Sequence, residues 1–321
     1  MITTGQPIAP SRRPAELGVH SLDHFALTVP DLGSAQRFYG AFGLDARAAG
    51  NALALHTFDH PQRWGVLLEG PTKRLHHLSF GVFEEDFTRF EQRLQTLGIP
   101  RVHPPPGIAS DGLWLRDPDG MLIELRVAEK SSPHRKFAYE FSSSPAGTAG
   151  APKRSQAPVT KPSRLAHCLF FTRDVPAALS FYSRALGLRL SDRSGDDIAF
   201  MHGIHGSDHH LIAFARSNGP GLHHVCWDVR SIGEIGLGAM QMAAQGYVAG
   251  WGLGRHVLGS NYFHYVRDPW GSYCEYSCDM DYIPADQDWQ AANHDAEDAF
   301  YVWGPSPPVD WTHNHEADQQ R

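Results

Sequence analysis

Residues 222–229 read LHHVCWDV and residues 75–82 read LHHLSFGV. Both open Leu-His-His and continue as an apolar run, so they are two versions of one strand. Residues 165–171, LAHCLFF, and 22–29, LDHFALTV, again set a histidine at the head of such a run, His167 and His24. Residues 116–125, RDPDGMLIEL, and 267–276, RDPWGSYCEY, each pass through a D-P-x-G turn and reach a glutamate, Glu124 or Glu275, at the same interval from the aspartate. One constellation therefore occurs twice: His24, His77 and Glu124, then His167, His224 and Glu275.

The intervening sequence repeats as well. Aligning His24 with His167 brings Asp31 onto Asp174 and Phe38-Tyr39 onto Phe181-Tyr182. SAQRFYGAF (34–42) and PAALSFYSRAL (176–186) carry apolar residues at helical spacing, and Pro176 suits a first helical turn. Short β-rich runs follow: NALALHTF (51–58), WGVLLEG (64–70), DIAFMHG (197–203) and HLIAFA (210–215). Segments 22–70, 75–127, 165–217 and 222–280 thus read as four βαβββ modules. A repeated unit that cannot bury its own sheet must pair with a copy. The expected fold class is α+β, with the modules paired into two half-barrel domains, 18–128 and 164–285. Residues 1–17 read as a lead-in. Residues 129–163, rich in Ser, Pro, Ala and Gly, read as a linker. In the tail, 286–321, EDAFYVWGPSPPVDW (297–311) is expected to wrap the surface or a partner subunit and to cap the cleft, and the final HNHEADQQR to fray.

Composition narrows the function. The 321 residues are 41% hydrophobic and 20% charged with net charge −7, which fits a globular chain. The absence of a basic run argues against nucleic acid. No apolar stretch is long enough to span a membrane, and the N-terminus lacks a secretory apolar segment. Cys168, Cys226, Cys274 and Cys278 show no disulfide or zinc spacing, so reduced thiols in a cytoplasm are expected. His202, His205, His209 and His210 crowd together without regular spacing, a poor zinc pattern.

Two histidines and a carboxylate bind a divalent metal on one face and leave the opposite positions open, which suits Fe(II) holding both a substrate and O2. Adjacent strand side chains face opposite ways, so only one of His223 and His224 is expected in the cleft, and the repeat selects His224. Cys226 shares its face, and its expected role is that of a small buried hydrophobe.

GRHVLGSNYFHYVRDPWGSYCEY (254–276) resembles the closing signature of the type I extradiol ring-cleaving dioxygenases of the vicinal oxygen chelate superfamily. The matching residues are His256, Tyr265 nine positions on, Asp268-Pro269-Trp270-Gly271 and Glu275. That family also carries an active-site histidine in an H-x-x-A-[FL] strand; counting back from Ala213 in HHLIAF selects His210 over His209. The resemblance covers both halves. It implies Fe(II), less often Mn(II), held by His167, His224 and Glu275, with O2 as co-substrate. His210, His256 and Tyr265 are the implied catalytic groups. The implied substrate is a catecholic aromatic, opened beside its diol to a semialdehyde, and the implied assembly a homo-oligomer. Two other readings of the scaffold are a glyoxalase-like isomerase or lyase and a drug-binding protein. The first needs a second carboxylate at the end of the third module, where HHLIAF has none. The second has no use for proton-handling groups beside an open metal.

The first copy keeps the ligand types without their neighbours. Trp114 stands where Tyr265 aligns, Pro105 where His256 does, and Arg63 near the place of His210. A non-catalytic domain is expected there, with the three residues left as a relic; a structural metal is the alternative.

Overall fold

A computed structural model describes residues 11–139 and 144–318. Part of the lead-in and the end of the tail therefore lie outside the described residues. The first module runs β1 (Ser21–Val29), α1 (Leu32–Ala41), β2 (Asp45–Ala49), β3 (Ala52–Thr57) and β4 (His60–Glu69). The second is β5 (Arg74–Val82), α2 (Phe87–Thr96), β6 (Leu113–Arg116) and β7 (Leu122–Val127). The third is β8 (Arg164–Thr172), α3 (Val175–Phe181, continued by a π-helical turn, Tyr182–Leu186), β9 (Arg189–Ser194), β10 (Ile198–His202), β11 (Ser207–Asp208) and β12 (Ile212–Arg216). The fourth is β13 (Gly221–Asp228), α4 (Ile232–Ala244), β14 (Gly250–His256), β15 (Tyr262–Arg267) and β16 (Tyr273–Cys278). The second domain ends with β17 (Tyr282–Ile283), and the tail adds β18 (Ala292–Asn293), α5 (Ala296–Ala299), β19 (Tyr301–Trp303) and α6 (His315–Asp318). No helix among the described residues is long and apolar enough to cross a membrane.

Each domain is built on one large mixed sheet, ordered β2-β3-β4-β1-β5-β7-β6 in the first and β18-β9-β10-β12-β8-β13-β16-β15-β14-β19 in the second, with β11 and β17 forming a separate two-stranded sheet. The first strands of the two modules pair antiparallel at the centre, β1 with β5 and β8 with β13. Each also pairs in parallel with the last strand of its own module, as β13 does with β16. Asp31 and Asp174, matched in the repeat, are the N-caps of α1 and α3, their carboxylates accepting from Gly33 N and Ala177 N.

The second module departs from the expected βαβββ pattern. Where its first post-helical strand belongs, a single bridge from Val102 to Trp114 remains. Three prolines follow at 104–106. Proline has no amide hydrogen to donate to a ladder, so the strand cannot form.

Both domains share one apolar core. Phe42, at the end of α1, stacks on Tyr276 of β16 with centroids 3.8 Å apart, and the Tyr276 hydroxyl donates to Phe42 O at 2.8 Å. The linker is tied down at each end. Ser132 Oγ donates to His20 O at 2.6 Å, and Thr160 N donates to Gln241 Oε1 at 2.9 Å.

The end of the tail corrects the sequence reading. Asn314 and Glu316 are buried, and Glu316 accepts from Leu75 N and Leu222 N, the starts of β5 and β13. Isolated polar composition suggested fraying; two strand-end amides that need an acceptor dock the segment instead.

Candidate active site

His167 comes from β8, His224 from β13 and Glu275 from β16, three neighbouring strands of the second sheet. The turn before β16 is built by Asp268, whose Oδ1 accepts from Trp270 N (2.8 Å) and Ser272 N (3.0 Å), with Gly271 at φ +100°. That turn fixes the register in which Glu275 stands opposite Cys226, which in turn stands opposite His167.

The three donor groups converge. His167 Nε2 and His224 Nε2 are 3.1 Å apart, and Glu275 Oε2 lies 3.4 Å and 3.3 Å from them. All three side chains are buried, and Glu275 Oε2 has no hydrogen-bond partner. Metal–ligand bonds of roughly 2.1 Å at right angles place neighbouring donor atoms roughly 3 Å apart. The triangle has that size, and an orphaned carboxylate oxygen in its corner is what a bound cation would satisfy. The residues fit a divalent metal. Glu275 Oε1 is held from behind by Asn261 Nδ2 at 3.2 Å, and the same amide donates to Ser277 Oγ at 2.8 Å.

Cys226 is nearer to this centre than expected, its sulfur within 4.8 Å of donor atoms of His167 and Glu275. Burial and the Glu275 carboxylate push its thiol pKa well up. A neutral thiol is a poor metal ligand.

His223 corrects the alternation argument. Both His223 and His224 border the cavity. The register of β13 against β8 slips between Leu222 and His224, a bulge at His223 that breaks strict alternation. Its ring is engaged elsewhere: Nδ1 is 2.7 Å from His224 Nδ1, and Nε2 is 2.8 Å from Trp311 O.

His210 lines the cavity, with its ring 4.1 Å from that of His167. It does not sit on a strand, as the sequence predicted, but in the irregular segment between β11 and β12. The cause is β11, which leaves the sheet to pair with β17. Burial and the surrounding imidazoles drive the His210 pKa well below its usual value, so the ring is neutral. His209 turns away. Its Nδ1 is 3.1 Å from His210 Nδ1 and its Nε2 is 2.9 Å from Asp192 Oδ2. Burial raises the Asp192 pKa, but hydrogen bonds from His209, Ala292 N and His294 outweigh it, and the carboxyl stays ionised. Asp192 accepts a hydrogen bond from His209 Nε2–H, and in that tautomer His209 Nδ1 carries the lone pair that accepts from His210 Nδ1–H. His210 then presents a bare Nε2 lone pair. Asp192 was not identified from sequence; nothing in its spacing separates it from a surface aspartate.

His256 and Tyr265 sit on neighbouring strands with His256 Nε2 2.8 Å from the Tyr265 hydroxyl. His256 Nδ1 is 2.9 Å from Phe300 O, which can only accept. Burial keeps His256 neutral, so Tyr265 is the donor to Nε2. Desolvation and Glu275 hold the Tyr265 pKa well above 10.

These groups face a cavity of about 470 Å³. Phe300 and Trp311 of the tail close part of it, as expected of a cap. The tail is anchored by β19, which pairs with β14 through His256↔Tyr301, and by Trp251 Nε1 donating to Pro305 O at 2.7 Å. The remaining clustered histidines disperse: His202 bonds Ser191 and His205 bonds Gly18 O.

The model of the glyoxalase/bleomycin resistance protein/dioxygenase superfamily matches residues 21–125 and 164–276. The chain belongs to that superfamily. It is 50% identical over 309 residues to metapyrocatechase 2 of Cupriavidus necator, covering 96% of each chain. This makes it one of the superfamily's extradiol ring-cleaving dioxygenases. It is 28% identical over 233 residues to a 3-methylcatechol 2,3-dioxygenase of Pseudomonas putida, covering 69% of this chain and 74% of the other. An extradiol ring-cleaving dioxygenase structure from B. fuscum superposes with a TM-score of 0.73 at 24% identity, covering 96% of this dioxygenase and 84% of that chain. The fold of paired glyoxalase-type domains expected from the repeat is the fold of these relatives.

Proposed function

We propose that this dioxygenase holds Fe(II) through His167, His224 and Glu275 and opens a monocyclic catechol beside its diol with His210, His256 and Tyr265. The observation that carries the reading is the His–His–Glu triangle opening into the same cavity as the bare His210 Nε2 and the Tyr265–His256 pair. The names of the Cupriavidus and Pseudomonas relatives support a catechol as substrate. Imidazole and carboxylate donors would also accept Mn(II).

When bound, the metal lowers the pKa of a chelating diol and gives O2 a coordination position. The protein's own groups do the rest. Tyr265 donates to His256, so its oxygen lone pairs remain to accept a proton from a substrate hydroxyl. Neutral His256 can take the tyrosine proton in turn, moving charge away from the diol. His210 Nε2 faces the ring from another wall, where it accepts a proton and, once protonated, donates to an oxygen that becomes anionic. Phe300 and Trp311 exclude water and flank an aromatic ring. The four cysteines, all unpaired and buried, agree with a reducing cytoplasm.

The test is Fe(II) reconstitution without oxygen, then addition of catechol, methylcatechols and a bicyclic diol with air. A yellow ring-opened product with matching O2 uptake is expected, and no uptake across that panel would refute the function. His210→Phe should slow turnover on the order of 10²–10⁴-fold with iron retained; loss of the iron would mean that its role is structural.

A further inference from the structure

The first domain reproduces the ligand geometry strand by strand. His24 stands opposite Ser79, and Ser79 opposite Glu124. In the second domain His167 stands opposite Cys226, and Cys226 opposite Glu275. A register slip falls at His76, before His77, as one falls at His223, before His224. The rings of His24 and His77 meet edge-on at 5.5 Å and 85°, those of His167 and His224 at 5.2 Å and 76°. His24, His77 and Glu124 are buried, and one donor atom of each lies within 4.8 Å of the others.

The surroundings orient these groups as a metal's outer shell does. His24 Nδ1 is 2.7 Å from Asp23 Oδ2, the carboxylate–imidazole contact that fixes a ligating histidine with its Nε2 lone pair free. Asp23 is itself held by Gln62 Nε2 at 3.0 Å, with Arg126 at 3.8 Å. His77 Nδ1 is 2.8 Å from His76 Nδ1, which likewise leaves Nε2 unused. Glu124 receives Ser79 Oγ at 2.6 Å on one oxygen and Ser110 Oγ on the other. A carboxylate has lone pairs to spare beyond two such bonds. Gly112 leaves room for it; a Cβ there would meet Glu124 Cγ at 2.8 Å.

We propose that His24, His77 and Glu124 are a second divalent-metal site, filled by a first-row transition metal and structural in role. The donor set of two imidazoles and a carboxylate selects that class over Ca(II) or Mg(II). The role follows from the neighbours. Trp114, whose ring is 5.0 Å from that of His77, replaces the tyrosine of the other site. Its Nε1 donates to Ser110 Oγ at 3.2 Å, so it offers a substrate no proton to exchange. The metal would clamp β1, β5 and β7 at the centre of the first sheet.

Titration of metal-stripped protein with Co(II), followed by its visible bands and by metal analysis after desalting, tests the site. Wild type should bind two equivalents. Glu124→Gln should bind one and, reloaded with Fe(II), keep its O2 uptake. Glu275→Gln should also bind one, without uptake. Saturation of wild type at one equivalent, or two equivalents still held by E124Q, would overturn the proposal. Should E124Q fail to fold, E275Q decides alone: one retained equivalent supports the first-domain site and none overturns it. A failure of the ring-cleavage reading shows separately, as absent uptake with both metals bound.

Discussion

Lys73 Nζ lies 2.6 Å from Glu316 Oε1, and the two side chains are only 1% and 4% exposed. Lys73 immediately precedes β5, and Glu316 belongs to the last described helix. The pair therefore fastens the end of the chain to the first domain, and the same carboxylate receives the starts of β5 and β13. Removing one partner of a buried ion pair leaves an uncompensated charge. Glu316→Ala should cost about 3–5 kcal/mol of stability in urea unfolding. The double variant Lys73→Met with Glu316→Leu should recover part of that loss, because no charge is then stranded. A single variant within 1 kcal/mol of wild type would show that water reaches the pair.

Asn261 donates to Glu275 Oε1 and leaves Oε2 facing His167 Nε2 and His224 Nε2. Loss of such an outer contact typically weakens metal binding about 10–100-fold. Asn261→Ala should release iron to a competing chelator faster by that order, with wild-type turnover restored at saturating Fe(II). Unchanged release would reduce Asn261 to a packing residue.

Asp192 acts on the site through His209. Asp192→Asn removes the anion that selects the His209 tautomer and, through it, the bare Nε2 of His210. Turnover should fall about 10-fold or more with KM and iron content unchanged. His209→Gln, which breaks the same chain, should not compound the loss. Additive losses would mean that the two residues act independently.

His20 is buried, with Nδ1 2.9 Å from Ser21 Oγ and Nε2 3.1 Å from Ala128 O. Burial lowers its pKa from 6.5 to about 4, and that of His205 likewise to about 4. An unfolded chain takes up these protons below pH 6.5, while the folded chain resists until about pH 4. Their contribution is therefore intact above pH 6.5, declines as pH falls, and is exhausted near pH 4. For His20 alone this is on the order of 3 kcal/mol. The melting temperature of metal-free protein should drop across that window, and His20→Gln should flatten the drop. An equal slope in the variant would place the acid sensitivity elsewhere.

Much of the site was legible because its residues repeat. A strand histidine twice per domain and a glutamate at a fixed interval after D-P-x-G survive in the one-dimensional pattern, since strand register turns spacing into position. His256 and Tyr265 were legible only through the resemblance of residues 254–276 to the closing signature of the extradiol dioxygenases. Asp192, Asn261 and the docking of Glu316 were not. Each acts on residues 14 to 243 positions away, through hydrogen bonds that leave no periodic trace.

The sequence by itself determined the four-module repeat, the two domains and both sets of His, His and Glu, because backbone pairing and burial impose period and spacing on the chain. Only the tertiary structure decided the rest. Bulges at His76 and His223 broke the alternation that spacing assumes, the prolines at 104–106 erased a strand, and Glu316 docked on the starts of β5 and β13. A bulge or a docked tail depends on which distant amide, carbonyl or charge needs a partner, and that is settled only when the chain is packed.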